Sequence, residues 1–460
     1  MLNITNKLAE FSSTLEFKDL PEAVKERSKI LFLDLVGIMV RARDLDSTST
    51  LIEGLSGVIN LEGQCTVFGD NNKYSPYAAA LINACSAHGL DLDDTHAPAQ
   101  IHPGAPVIPA AFAAAEMVGA SSEKLLAGIV AGYEVMARVS YGLHPILHSD
   151  KGFHLSATTG VFGAVAAAGN ILGLTTSQLE HAFGTALSQT AGSGQFLVNG
   201  AWTKRFHVGN AAAGGLMAAS LARSGFTGAA EALEGKHGFF NLYSPKPTPE
   251  EAIHGLGTEW EIMKVALKPY PCCRAIHAPL DAVMSLLDEH SFDYSEIDSV
   301  EVGMPRKCVD ITGAPQERKR NPENPVDCQF SAHMCVAIAL TYRSISFDHY
   351  PEALKDRRLY DLMQKINCYV DERAEAEYPR TFPGFIKISL SDGRVIEKYV
   401  ETPLGEPQKM MTPEQIREKL ESLISSKMSK EDRETLYAAV NKMGSGESLS
   451  AFSMLTYTNH

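Results

Sequence analysis

Apolar residues recur at helical spacing along most of the first 260 residues. Segment 21–42 begins with a proline suited to a first helical turn, and its apolar residues then follow at spacings of three and four. Segments 110–118, 161–172 and 209–225 are rich in alanine and glycine and apolar nearly all round. Such helices are typical of the inside of a helical domain with several layers. The pattern therefore predicts a large, mainly α-helical domain.

The pattern changes to strand alternation after about residue 265. Segment 299–305 alternates, and Asp392-Gly393 favours a hairpin turn between strands 385–390 and 395–400. Helical spacing returns after residue 405. The sequence thus predicts a mainly α fold in which residues 1–265 and 401–460 form one all-helical domain. Residues 266–400 would form a smaller inserted α+β unit.

Composition narrows the class of protein. The chain has 460 residues, 45% of them apolar, and a net charge of −14, which argues against a nucleic-acid-binding surface. The longest uncharged stretch, 155–179, carries Ser, Thr, Gly and Asn throughout, so we expect no membrane span. No basic segment precedes an apolar run at the N-terminus, so we expect no signal peptide. Eight cysteines without a C-x-x-C pair predict neither disulfides nor a zinc site, and favour the cytoplasm.

The segment from His88 to His102 is the most unusual part of the sequence. It packs three histidines and three aspartates between alanine-rich, apolar segments. On a helix, His88, Asp91 and Thr95 would share a face; alternatively, Asp93, Asp94 and Thr95 would cap helix ends. Burying several unpaired charges is costly, so we expect these groups to cluster around a site. A carboxylate-bound metal stays open as an alternative, although no metal motif is present and we predict none.

Three further polar spots stand in apolar surroundings. His154 precedes one Ala/Gly-rich helix, Lys204 and His207 precede another, and Arg274 and His277 open the smaller unit. Helix N-termini with nearby Lys and Arg make good anion sites. Together these spots predict a cationic pocket facing Asp91 and His102. No dinucleotide fingerprint, P-loop or G-x-S-x-G elbow is present, so we expect no nucleotide cofactor and no serine hydrolase.

The chain resembles the MmgE/PrpD family over nearly its whole length. The resemblance rests on HGLDLDDTH, HPGAPVIPAAFAAAE, AGYEVMARV, GFHLSATTGVFGAVAAAG, KRFHVGNAAAGGLMAASLARSGFTG and YPCCRAIHAPLDAV. The family includes 2-methylcitrate dehydratase, cis-aconitate decarboxylase and iminodisuccinate epimerase. The resemblance implies a large helical domain carrying a smaller lid domain, a homodimer, and a metal-free site between the two domains that needs no cofactor.

The decarboxylase branch of the family implies a set of catalytic residues. At one further position, where decarboxylases carry a tyrosine, this chain has Met334 with His333 beside it. We expect Lys204, Thr95, Arg274 and His207 to bind a small polycarboxylate. The catalytic positions that keep the family's residue type are Asp91, Thr95, His102, His154, Lys204 and His277.

These roles predict acid–base chemistry at a carbon atom. His102 would deliver or remove the proton and Asp91 would orient an imidazole. We predict a metal-independent lyase acting on a small di- or tricarboxylate, either like cis-aconitate decarboxylase or like 2-methylcitrate dehydratase. The alternatives are an epimerase of an amino-dicarboxylate and, from another class, a catalytically inert protein that binds organic acids.

Overall fold

The computed structural model describes residues 3–458 and is mainly helical, with 58% helix and 9% strand. This confirms the prediction that the fold is mainly α-helical. Each longer helix coincides with a segment of helical spacing or with an alanine-rich apolar run. Before residue 265 these helices are Ile4–Thr14, Glu22–Ala42, Asp46–Ser56, Pro76–Ala87, Gly104–Val118, Ser122–Gly142, Gly160–Ile171, Thr176–Ala186 and Thr203–Arg223.

The predicted helical region is interrupted by two small antiparallel pairs of strands. Strand Glu62–Thr66 pairs with Lys73–Tyr74, and strand Thr95–His96 pairs with Val265–Ala266. Helical spacing did not indicate either pair, because each pair contains at least one two-residue strand, which carries no periodicity. The second pair holds Thr95 beside Ala266, where the predicted helical segment ends.

A four-stranded sheet occupies the predicted α+β segment. Its order is Ile366–Val370, Ile297–Met304, Gly384–Leu390 and Val395–Val400, with the first pair parallel and the other two pairs antiparallel. The hairpin at Asp392-Gly393 is confirmed, and Gly393 has a φ of 87°, which suits glycine. The helices of eight or more residues that accompany this sheet are His277–Glu289, Ala332–Tyr342 and Arg357–Gln364.

The buried apolar residues form two large cores. The first joins residues 4–267 with residues 411–457, and the second lies within residues 272–396. The C-terminal helices Pro413–Ile424 and Lys430–Lys442 pack against Glu22–Ala42. A Cβ on Gly37 would lie 2.5 Å from Leu420 Cδ2, so the absence of a side chain at Gly37 allows the close approach. The division into a helical domain and a lid remains a prediction.

Within residues 3–458, every helix is either too short or too polar to span a lipid bilayer.

Candidate active site

The ionisable cluster lies on a loop. Helix Pro76–Ala87 ends just before His88, and residues 88–94 are non-helical. The backbone turns at Asp91, whose φ of 51° lies in the left-handed region that aspartate tolerates better than most residues. The side chains therefore meet because the loop folds back, and the interpretation that they share a helix face is wrong.

One side of the site is built from imidazoles around Asp93. His88 Nδ1 donates to Asp93 Oδ2 over 2.7 Å, and His102 Nδ1 lies 3.4 Å from the same oxygen. The two imidazole rings are 4.8 Å apart. His88 and Asp93 have fully buried side chains, whereas that of His102 is 19% exposed. With Nδ1 of His102 turned towards Asp93, Nε2 is the nitrogen available for proton transfer. We call His88, Asp93 and His102 the imidazole group.

The other side is built from two lysines around Asp91. Lys204, in the first turn of helix Thr203–Arg223, forms an ion pair with Asp91 Oδ1. Lys268 Nζ lies 3.3 Å from the same oxygen and donates to the backbone oxygen of Asp91 over 2.9 Å. The ring of Phe330 covers Lys204 Nζ at 5.2 Å. We call Asp91, Lys204 and Lys268 the lysine group; all three are buried.

The electrostatics of the two groups differ. Burial alone would raise the pKa of Asp91, but Lys204 and Lys268 together hold it well below its usual range. Burial alone would lower the pKa of Lys268, but the charge of Asp91 keeps it raised. Asp91 and Lys268 therefore stay charged at neutral pH.

In the imidazole group the bases are neutral. Burial lowers the pKa of His88 to about 3, although the charge of Asp93 opposes the shift. Burial also lowers the pKa of His102, although the charge of Asp93 again opposes the shift. Burial would raise the pKa of Asp93, but His88 and His102 hold it well below the usual value. The group thus pairs one carboxylate with two imidazoles whose pKa values burial has lowered.

His154 and His207 extend the imidazole group. His154 Nδ1 lies 3.1 Å from His207 Nδ1, and the ring of His154 stacks on that of His88 with centroids 5.7 Å apart. His154 is the residue before helix Leu155–Thr158. Burial, with the charges of His88 and Lys204, places the pKa of His154 well below its usual value. The structure thus brings both of these predicted residues to the site.

His277 and Thr95 are both buried, and the charges of Lys268 and Asp91 act on His277. His277 Nε2 donates to the backbone oxygen of Cys272 over 3.2 Å, and burial together with Lys268 lowers the pKa of His277 to about 3. The Thr95 hydroxyl is buried and has no hydrogen-bond partner among the described residues. A buried hydroxyl without a partner is free to bond a ligand oxygen.

Arg274 already has partners within the chain. Its guanidinium pairs with Glu406, to which Nε donates over 2.6 Å, and stacks on Phe382 with 4.1 Å to the ring centroid. It lines a cavity of about 290 Å³ together with both of these residues. To bind substrate, as predicted, Arg274 would have to exchange Glu406 for a substrate carboxylate.

Three residues that the structure brings to the candidate site were missed or misjudged from the sequence. We predicted that Asp91 orients an imidazole, but the carboxylate that contacts the imidazoles of His88 and His102 is that of Asp93. His88 lay in the quoted motif but received no role, and Lys268 stands directly before the PYPCC segment without a local pattern to mark it. The capping alternative holds for Asp94, whose Oδ1 accepts from Gly104 N over 2.9 Å at the start of helix Gly104–Val118.

The imidazole group also has the composition of a metal site. His88, Asp93 and His102 each offer a ligand atom, and these atoms lie within 4.8 Å of one another. Two histidines and a carboxylate are a ligand set that zinc accepts. The short bond from His88 to Asp93 shows that the carboxylate is already engaged by an imidazole.

The position where the decarboxylase branch carries tyrosine lies in the second core. Met334 is fully buried in helix Ala332–Tyr342. Its neighbour His333 has Nε2 3.2 Å from Gln316 Oε1. The thioether of methionine has no hydroxyl, so Met334 is not able to donate the hydrogen bond that a tyrosine hydroxyl would donate at this position.

Comparisons with known proteins cover nearly the whole chain. The family model for the MmgE/PrpD N-terminal domain matches residues 6–252, and that for the MmgE/PrpD C-terminal domain matches residues 270–443. A cis-aconitate decarboxylase of Aspergillus terreus is 28% identical over 447 residues, which cover 92% of this chain and 89% of that protein. The cis-aconitate decarboxylase of Homo sapiens is 27% identical over 474 residues, which cover 99% and 94% of the two chains.

Proposed function

The chain belongs to the MmgE/PrpD family, and from this premise we propose that it is a metal-independent lyase acting on a small di- or tricarboxylate. The reaction would resemble that of cis-aconitate decarboxylase or of 2-methylcitrate dehydratase. One observation carries the proposal: two lysines that share one carboxylate lie beside a group of imidazoles in a buried site. The former suits carboxylate binding and the latter suits proton transfer.

Substrate binding would use the lysine group. Lys204 and Lys268 share one carboxylate oxygen of Asp91, so together they carry more positive charge than Asp91 neutralises. In a site with little water such charge attracts a substrate carboxylate strongly. The unpaired hydroxyl of Thr95 would donate to a substrate oxygen. His207 and Arg274 would contact further carboxylates.

Proton transfer would use His102. In a decarboxylation, the bond between the leaving carboxylate and its carbon breaks, carbon dioxide departs, and the electron pair stays on that carbon. Protonated His102 would then give its proton to this carbon or to one conjugated with it. A bound polyanion raises the proton affinity of His102, which opposes the effect of burial on its pKa. In a dehydration, neutral His102 would instead remove a proton from carbon as hydroxide leaves with a proton from a second imidazole.

An epimerase of an amino-dicarboxylate is the second candidate, favoured by Met334 in place of the tyrosine of decarboxylases. An epimerase removes and returns a proton at one carbon, which suits the neutral state of the imidazoles. The pH profile separates the two. If His102 acts as an acid, kcat/KM falls as pH rises through its pKa in the free enzyme; if it acts as a base, kcat/KM falls as pH drops through it.

We also propose that residues 266–400 act as a lid and that the protein is a cytoplasmic homodimer. The second core supports the lid, because residues 272–396 have a hydrophobic interior of their own. We call the non-helical residues 88–94 the catalytic loop. Gln329 of this unit donates to the backbone oxygen of Leu90 over 2.7 Å, so the unit touches the catalytic loop directly. The eight cysteines are free, which suits a reducing compartment.

A substrate panel tests the proposal. Purified protein is incubated with cis-aconitate, hydroxylated tricarboxylates and amino-dicarboxylates, while carbon dioxide, alkene absorbance and optical rotation are followed. We expect carbon dioxide release or alkene formation, unchanged after dialysis against EDTA. Change in optical rotation alone would favour the epimerase. Binding without turnover of any acid would favour an inert binding protein, and loss of activity on chelation with rescue by zinc would overturn metal independence.

A further inference from the structure

Three consecutive backbone oxygens of the catalytic loop are held by side chains from three distant parts of the chain. Gln329 Nε2 donates to the oxygen of Leu90 over 2.7 Å, and Lys268 Nζ donates to that of Asp91 over 2.9 Å. Lys419 Nζ donates to the oxygen of Leu92 over 3.3 Å. The two residues of each pair are separated by 239, 177 and 327 positions in the sequence. We call these three contacts the carbonyl clamp.

Lys419 is the member of the clamp that comes from the C-terminal helices. It lies on helix Pro413–Ile424, is buried, and pairs with buried Asp34 of helix Glu22–Ala42 at 2.6 Å. A buried lysine is costly unless it is paired and hydrogen-bonded, and both conditions are met here. Because Gly37 has no side chain, Leu420 packs closely against helix Glu22–Ala42. This contact holds the helix that carries Lys419 in place.

We propose that Lys419 is a positioning residue for the catalytic loop. By holding the oxygen of Leu92, it fixes the left-handed turn at Asp91, which aims the Asp91 carboxylate at Lys204. The next residue along the chain is Asp93, so the same contact sets the spacing between the lysine and imidazole groups. The effect on catalysis rests on the proposed function, whereas the effect on loop order does not.

The clamp explains why a C-terminal helix would affect chemistry that it does not touch. Asp91 has a backbone conformation that few non-glycine residues adopt, so local preference alone does not keep it there. Hydrogen bonds from charged donors are stronger than neutral ones, and burial strengthens them further. Displacement of catalytic groups by about 1 Å costs about 100-fold in rate, even when the mutated residue is far from the chemistry.

The test uses variants that keep the fold. The double variant Asp34→Asn/Lys419→Met removes the contact without leaving a buried charge unpaired, and Lys419→Arg restores a cationic donor. Arg433→Met is the matched control, because it breaks the ion pair between Arg433 and Glu421 in the same C-terminal helices without touching the loop. Hydrogen–deuterium exchange of peptides covering 88–95 is measured beside kcat, KM and the melting temperature.

We expect the 88–95 amides to exchange about 10-fold faster in the double variant than in Arg433→Met, because the double variant has lost one charge-assisted hydrogen bond to the loop. We expect its kcat to fall about 10- to 100-fold with a smaller change in KM, and Lys419→Arg to recover part of both effects. Exchange at 88–95 equal to that of Arg433→Met would overturn the positioning role, whatever the activity. Faster exchange in a chain without turnover of any carboxylate would uphold the clamp and contradict the proposed function alone.

Discussion

Two aspartates of one loop, separated by a single residue, have opposite surroundings. Asp91 is held between Lys204 and Lys268, whereas Asp93 is held between His88 and His102. Burial is equally complete for both carboxylates, so it does not distinguish them. The partners do, because a lysine keeps its charge at neutral pH and a buried imidazole does not. The loop thereby separates a carboxylate held by lysines, where we propose that substrate binds, from a carboxylate held by imidazoles, where we propose that the proton is transferred.

The largest expected effect comes from the imidazole group. In His102→Gln we expect kcat to fall by about 10²–10⁴-fold, the usual worth of general acid–base catalysis, with little change in melting temperature. His148→Gln is the matched control, since His148 is also buried but bonds Thr158 and Tyr243. It should lose stability and keep its specific activity. Full activity in His102→Gln would remove the proposed mechanism.

A smaller effect is expected from the lysine group. Lys204→Met removes one charge-assisted contact to a substrate carboxylate, so kcat/KM should fall about 10- to 100-fold, mainly through a higher KM. Initial rates over a range of substrate concentrations separate KM from kcat. The same loss carried entirely by kcat, with KM unchanged, would contradict the assignment of substrate binding to this group.

Asp93→Asn tests the carboxylate of the imidazole group. The charge of Asp93 raises the pKa of His102 against the effect of burial, so its removal should lower that pKa further. With His102 as the acid of a decarboxylation, the limb of the kcat/KM profile should move to lower pH, and activity at pH 7 should fall about 10-fold. Asp94→Asn is the control, because Asp94 bonds Tyr133 and Gly104 and touches neither imidazole. An identical shift in both variants would show that the effect is not specific to Asp93.

The last prediction concerns stability in acid. The pKa of buried His88 is lowered to about 3, so between that pH and about 6.5 the unfolded chain binds a proton that the folded chain does not. Its contribution to the free energy of unfolding is full above pH 6.5 and is lost as pH falls towards 3. His88→Gln should therefore lose less stability over pH 6.5–4 than the wild type, by up to about 1.4 kcal/mol per pH unit. Denaturant unfolding at several pH values would show this, and equal slopes would contradict it.

How much the sequence predicted depended on whether the signal was local. The hairpin at Asp392-Gly393 was predicted correctly, because turn and alternation lie within 16 residues. Strand Ile366–Val370 was missed, since it is short and its parallel partner Ile297–Met304 lies more than 60 residues away. The mainly helical character before residue 265 followed from periodicity alone.

The site shows the same limit. His102 and Lys204 were selected because ionisable residues in apolar surroundings are unusual. This signal is local, so it does not require knowledge of the residues with which they pair. Which aspartate would meet which base was not predictable, because Lys268 and Lys204 reach Asp91 from 177 and 113 positions away. Asp94 does cap a helix as the capping alternative allowed, so the local pattern of three aspartates had two correct interpretations.

The most direct measurement follows solvent deuterium at carbon. Wild type and His102→Gln are incubated with cis-aconitate in heavy water; product deuteration is read by mass spectrometry, and ligand affinity by calorimetry. We expect the wild type to place deuterium at the protonated carbon of the product. His102→Gln should do so at least about 100-fold more slowly, with a Kd within about threefold of wild type. Deuteration by His102→Gln at the wild-type rate would contradict the claim that the imidazole group transfers the proton.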